Sequence, residues 1–505
     1  MGVPIPLACF LYFLVRYRSP GYALCGACVL AAYYAAAMLP KGILRRPEAA
    51  ESWGRALLAL TAVSLTGFGA WQYLQARDIG DLDHASYATA LWNLGHGNWH
   101  YTFEGRNLLG IHSQYTALLW IPVQAAAGGL GLKLGEAACI LAAVGLVFRR
   151  YRETLPSPAW AALAVLLAPC LASQFFFGFH PEFLGAPLLV LALIAYRDGK
   201  LGLFLVWTFL LAFTKETFTL AVGGILLIAL RERRGWRWIL LPGLLCCAQM
   251  AIYWIVILPR FAPAGNQLGN FLPPALSQVP GLWWRSSNAF YLLHVFLPFL
   301  PLILGYPLRY VLLPLPLMAF YAAMPQTLFT VMWPNYAFPL AFLCAAGPIL
   351  AGRDPRGPEN PGRPVLEARI LAACAVTSLL CYPLWREILS VPHGHGGEAR
   401  EASRLNASIP ATLPILVNSA ATTRFAARRE VAVWGQLSEQ GPRPFYLDHY
   451  AYVILDTAFA PYWLVDKQDL AGGIQALAES TAWEKLPARE GYLVFRRIET
   501  RQAGL

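Results

Sequence analysis

"GRALLALTAVSLTGFGAWQYLQARDIGDLDHASYATALWN", residues 54–93, changes character halfway. Residues 54–75 form an apolar run, and a helix that crosses a bilayer needs about 20 such residues. Directly after it come Asp78, Asp81 and Asp83, with His84, Trp92, His96, Trp99 and His100 close behind. So polar and aromatic a segment at the end of a span is either a connector or the start of a site.

The rest of the chain repeats the first half of this pattern. Of 505 residues, 57% are hydrophobic and 13% charged, with a mean hydropathy of +0.47, whereas soluble domains carry about 25% charged residues. Lys and Arg outnumber Asp and Glu by 39 to 28. The excess gathers between apolar runs: Lys41 with Arg45 and Arg46, Arg149 with Arg150 and Arg152, Arg197 with Lys200, then Arg231–Arg237 and Arg353–Arg369. No aromatic-interleaved basic face accompanies it, so the reading is the positive-inside rule and no nucleic-acid partner. All ten cysteines lie within or beside apolar runs, and the Cys25–Cys28 spacing has no second pair. Small buried hydrophobes are expected there, with neither disulfide nor structural zinc. "PIPLACFLYFLV" (4–15) lacks a basic leader and an A-x-A site, so a cleaved signal peptide is not expected.

Placing each basic cluster in the cytoplasm closes an alternation of spans. They run over 22–39, 54–75, 131–148, 159–175, 184–196, 201–214, 217–230, 238–258, 289–304, 307–324, 336–351 and 367–384. The runs 5–17 and 115–127 are ambiguous, the second being amphipathic enough to lie in or re-enter the outer interface. The sum is about twelve spans. After Leu384 the chain turns polar, with β-like runs at 415–419, 430–435, 451–457 and 492–498 and a helix-compatible stretch at 467–479. That tail, 385–505, is expected to be a small extracytoplasmic α/β domain. "VPHGHGGEAR" (391–400) reads as a Gly-rich connector.

Ionisable residues at membrane depth are costly and call for a partner or a function. In "DIGDLDHASYATALWN" Asp83 and Tyr87 stand at i, i+4 and share a helix face, with Trp92 and Asn93 further on. Asp81 and Asp83 also spell D-x-D, which leaves a divalent cofactor, Mg or Mn, open. His112 opens the next run in "NLLGIHSQY", and "QFFFGFHPEF" brings His180, Pro181 and Glu182. "LLAFTKETFTLAV" holds Lys215 and Glu216 between two short apolar runs. That Lys is either half of a structural ion pair or a cation aimed at a phosphate. The aromatic run Phe175–Phe179 is either a groove wall or an interface belt. The charge argument never used these clusters, yet it puts all of them on the outer face.

"DHASYATALWNLGHG", "LLGIHSQY", "FGFHPEF", "LLAFTKETFTLAV" and "NYAFPLAFLCAA" resemble, in order and spacing, the bacterial membrane-protein family DUF2079. The resemblance covers roughly residues 55–350 and touches the tail at "IPATLPILV" and "YVILD". It implies kinship with the GT-C superfamily, whose members transfer sugars from polyprenyl phosphates. Asp83, Trp92, Asn93, Gly97, His112, His180, Pro181, Glu182, Lys215 and Glu216 match the family pattern. Ile111, Thr217 and Thr89 depart from it, and Asn335 and Tyr336 stand where a His–Tyr pair is frequent.

The fold this implies is an all-α polytopic membrane protein of GT-C kind, with about 11–14 transmembrane helices. Residues 1–384 would form it, with an exterior loop at 76–115, and 385–505 the α/β domain. The function implied is glycosyl transfer in the cytoplasmic membrane of the bacterial cell envelope, to an unidentified acceptor. Asp83 would be the general base, with Asp81 behind it. Tyr87, Trp92, Asn93, His112, His180, Glu182, Lys215, Glu216, Asn335 and Tyr336 would bind the polyprenyl-phosphate sugar donor. A flippase for a lipid-linked substrate and a non-catalytic scaffold are the rival readings.

Overall fold

The apolar run at 54–75 folds as part of one helix, α1 (Pro47–Leu74), in a computed structural model. The structure describes residues 47–74, 81–99, 107–261, 299, 307–323, 338–351, 396–418, 422–434, 447–456, 467–489 and 491–498. The spans expected at 22–39 and 367–384, and nearly all of 289–304, lie outside these residues, as do Asn335 and Tyr336. The helices that follow are α2 (Asp81–Gly95), α3 (Ile121–Tyr151), α4 (Pro158–Leu166), α5 (Gly185–Arg197), α6 (Leu201–Ala212), α7 (Glu216–Arg231), α8 (Arg237–Ile252), α9 (Leu315–Ala323) and α10 (Phe338–Cys344). Trp53, Leu60 and Val63 of α1, Leu203, Val206 and Phe209 of α6, and Leu240 and Leu244 of α8 are exposed. Such broad apolar faces have lipid as their solvent.

Among the described residues three helical stretches are long and apolar enough to cross a membrane: Glu48–Leu74, Tyr115–Tyr151 and Arg237–Phe261. The second of these is not one straight helix. Gly128, at φ 58° and ψ −154°, adopts a backbone reserved for glycine and breaks α3. That break separates the amphipathic run 115–127, partly 3-10 helical over Tyr115–Trp120, from the span behind it.

The run expected as a single span at 159–175 is also broken. Pro169 has no N–H to donate and bars its predecessor from regular helix. The chain forms α4, a turn at Pro169–Ala172 and a 3-10 turn at Ser173–Phe175. Carbonyls freed by such breaks must be satisfied inside the protein. Lys133 does this: buried on α3, it donates from Nζ to the carbonyl of Gln174 at 3.1 Å and to that of Phe177. Its neighbour Glu136 is 4.0 Å away and equally buried. These two residues, near the start of the span expected at 131–148, are not among those singled out from the sequence.

The tail forms helix α11 (Gly396–Ser408), strands β1 (Ile415–Val417), β2 (Val431–Val433) and β3 (Tyr452–Asp456), helix α12 (Lys467–Glu479), and strands β4 (Trp483–Leu486) and β5 (Tyr492–Arg497). The sheet order is β2-β1-β3-β5-β4, with β1 parallel to β2 and β3, and β5 antiparallel to β3 and β4. Strand alternation feeds two cores. Ile415, Val417, Val431, Val433, Ile454 and Val494 pack with Ala402 and Leu405 of α11, and with Ala85, Ala88 and Leu91 of α2. Leu416, Ala432, Val453, Leu455 and Phe495 pack the other face with Leu477 of α12. The sheet is thus joined to the helical part through α2. Two expectations change: 396–400 belongs to α11 rather than to a connector, and β4 was unforeseen, because "WEKL" buries only Trp483 fully.

Lys133→Met removes hydrogen bonds worth roughly 1.5–3 kcal/mol each when one partner is charged. A clear fall in the unfolding temperature of the detergent-solubilised protein is expected, with Lys133→Arg losing less.

Candidate active site at one end of the helices

Three short helices set the depth of the polar motifs. At 1.5 Å per residue, the 13 residues of α5 reach roughly 20 Å and the 12 of α6 less, while the hydrocarbon core is roughly 30 Å thick. The connections before α5 and between α6 and α7 are therefore sunk among longer neighbours. Gln174 to Phe183 are buried without exception. Phe176 packs on Phe68, and Phe179 packs on Trp120 and Tyr87. This run is interior packing and does not form a membrane-interface belt.

The buried charges pair across these connections. Lys215, in extended conformation before α7, donates from Nζ to Glu182 Oε1 at 2.6 Å. Gln114 Nε2 donates to the other oxygen of Glu182 at 2.9 Å and lies 3.3 Å from the Tyr87 hydroxyl. Glu216, first residue of α7, sits where a helix N-terminus favours an anion. Its Oε1 is 2.6 Å from His112 Nδ1, and its Oε2 accepts from the N–H of Ser113 at 3.2 Å and from the Ser113 hydroxyl at 3.3 Å. Lys215 and Glu216, adjacent in sequence, therefore serve different partners.

His180 completes the set. Its Nδ1 lies 2.7 Å from the carbonyl of Gly178, which can only accept, so Nδ1 carries a proton. Nε2 then faces Asp83 Oδ2 at 3.6 Å, while Glu182 turns to Lys215 and Gln114. At 3.6 Å the two atoms lie just beyond direct hydrogen-bond distance. Tyr87, on the same face of α2 as Asp83, meets His180 edge to face at 5.5 Å between ring centres. The side chains of Lys215, Glu182, Glu216 and His180 are at most 6% exposed, whereas that of Asp83 is 40% exposed. One solvent-reached carboxylate thus meets an imidazole and a buried cation meets a second carboxylate, with Tyr87 between the two pairs, against His180 on one side and Gln114 on the other. Such a set can move a proton at Asp83 and hold an anion near Lys215.

Asp83, Tyr87, His112, His180, Glu182, Lys215 and Glu216 are thus brought together. Two predicted residues are not. Asn93 is buried and spends its amide N–H groups on the carbonyls of Thr89, Arg428 and Arg429, fastening α2 to the C-terminal sheet. Arg428 itself is fully buried, which pulls its guanidinium down to about 10. Trp92 stacks on His96 at 3.9 Å, away from the network. Among the described residues no group of three or more His, Cys, Asp and Glu could hold a metal ion, and the side chain of Asp81 falls outside them. Ser113 and Gln114 went unforeseen, although they directly follow His112. The available signal was the polar run "HSQ" at the start of an apolar stretch.

The opposite end of the bundle carries the basic loops. At the far end of α3, Arg150 binds Glu153 and Asp198, and Arg197 lies 3.7 Å from Glu153. Glu232 there takes the Tyr196 hydroxyl at 2.9 Å, with Arg309 at 3.6 Å. The polar motifs and the basic clusters therefore occupy opposite ends.

This architecture has the fold of solved structures of another protein. It is similar to ArnT from Cupriavidus metallidurans bound to undecaprenyl phosphate, with a TM-score of 0.52 and 13% identity, over 88% of this chain and 99% of that one. It is equally similar to the apo state of ArnT, with a TM-score of 0.51 and 13% identity over the same shares. At that identity the likeness is one of fold. The chain itself belongs to DUF2079, a family described as predicted membrane protein, whose model matches residues 76–494. No curated protein matches the chain.

Removing one partner of a buried ion pair costs roughly 3–5 kcal/mol, because the other charge is left uncompensated. Lys215→Met is accordingly expected to destabilise strongly, and Lys215→Met with Glu182→Gln to recover much of the loss in thermal unfolding. Asn93→Ala breaks the hydrogen bonds to the sheet and is expected to speed proteolytic release of the C-terminal segment, measured by limited proteolysis.

Proposed function

We propose that this protein is a GT-C-type glycosyltransferase that takes sugar from a polyprenyl-phosphate donor, with its active site on the extracytoplasmic face. The observation that carries the reading is the placing of two pairs, Asp83–His180 and Glu182–Lys215, at the end of the bundle opposite the basic loops. The positive-inside rule turns those loops to the cytoplasm. The motif end and the C-terminal domain then face the other way. The ArnT fold, and the undecaprenyl phosphate bound by that protein, support the donor class.

In this reading Asp83 takes the proton from the acceptor hydroxyl as it attacks the sugar carbon and the lipid phosphate leaves. His180 holds the carboxylate in place. Lys215 meets the phosphate, which competes with Glu182 for the ammonium. Tyr87, His112 and Glu216 shape the pocket around donor and cation. Asp83→Asn is expected to lower transfer by about 10²–10⁴-fold while the protein inserts and accumulates as before. The measurement is release of undecaprenyl phosphate from a panel of undecaprenyl-phosphate-linked hexoses and pentoses. Undiminished release in that variant removes Asp83 from the role.

A further inference from the structure

A second polar recess lies outside this network, between the helical part and the C-terminal domain. It is a cleft of about 200 Å³, lined on its polar side by Tyr73, Gln124, Ser403, Asn406, Thr423 and Arg424. A water occupies roughly 30 Å³, so the cleft has room for a sugar-sized ring. Ala88 of α2 also lines it. Ala88 shares a helix face with His84, about 100° around from the face that carries Asp83 and Tyr87. One helix therefore presents two different faces to two different recesses.

Arg424 is held at the wall of the cleft. Its Nη2 donates to the Tyr73 carbonyl at 2.6 Å, and its guanidinium lies over the Tyr73 ring at 4.4 Å. Its Nε is buried and makes no hydrogen bond among the described residues. From the side of α3, Gln124 is 6% exposed, and its Oε1 is likewise buried without a hydrogen bond. Gly129 keeps this wall open to the ring, since a Cβ there would meet the Tyr73 hydroxyl at 2.4 Å. Ser403 and Asn406 stand at i, i+3 on α11, with Thr423 beside Arg424. Among the described residues no carboxylate lines the cleft. A fixed cation with a spare donor, ringed by hydroxyl and amide groups, complements a ligand with one acid group and several hydroxyls.

We propose that this cleft binds an anionic sugar, with Arg424 taking the acid group and Gln124, Ser403, Asn406 and Thr423 the hydroxyls. The ligand touches both the helical part and the C-terminal domain. The proposal stands on the cleft and does not rest on the transferase reading.

Saturation-transfer NMR on the detergent-solubilised full chain tests it, with glucuronate, glucose 6-phosphate and glucose as probes. At least one of the two acids is expected to bind tenfold or more tightly than glucose, and the preferred one tells carboxylate from phosphate. Arg424→Gln is expected to weaken that acid at least tenfold. Ser403→Trp, which fills the cleft from its exposed rim and leaves the Arg424–Tyr73 contact intact, is expected to do the same. Equal binding of glucose and both acids overturns the proposal, as does wild-type affinity for the acid in Ser403→Trp.

Discussion

A lysine and a glutamate that are nearly fully buried stay charged only by neutralising each other. The Lys215–Glu182 pair, 2.6 Å apart, does so between two breaks in the helical order. Much of the bundle's geometry serves that pair and its neighbours. The helices α5, α6 and α7 are short, so the turns that carry Glu182 and Lys215 lie below the ends of longer helices. A non-helical backbone is tolerated at such depth only where protein covers it. The second carboxylate, Glu216, is met by His112, Ser113 and the start of α7. Glu182 and Glu216 thus each have more than one partner, as a low-dielectric setting demands.

Helix α2 ties this set to the rest of the molecule. One face brings Asp83 and Tyr87 to His180, a second packs Ala85, Ala88 and Leu91 into the core of the C-terminal sheet, and its end is fastened through Asn93.

The likeness to ArnT at 13% identity is retention of a scaffold, and functions reside in sites grafted onto scaffolds. What is particular to this chain is the side-chain set at the motif end. It includes a neutral glutamine, Gln114, holding one oxygen of Glu182. Three carboxylates, a lysine and two histidines meet there.

Hydropathy and period are local properties, and what depends on them was legible in the sequence. The apolar runs at 54–75, 184–196 and 217–230 became α1, α5 and α7, the β-like runs became β1, β2, β3 and β5, and 467–479 became α12. The polar motifs at the ends of spans were legible too, because charge is rare in such a chain. Partner choice was not. Lys215 bonds Glu182, 33 residues away, in preference to its neighbour Glu216, and His180 faces Asp83 rather than Glu182. Lys133 and Glu136 were hidden by the apolar run around them, and their place became clear only once a broken helix brought its carbonyls to Lys133. Asn93 looked like a ligand residue until the C-terminal sheet took its amide. The sequence by itself determined which segments seek lipid and which residues are too polar for it. Only the crossing of the helices decided which polar groups meet, because that depends on where each helix breaks and which face it turns inward.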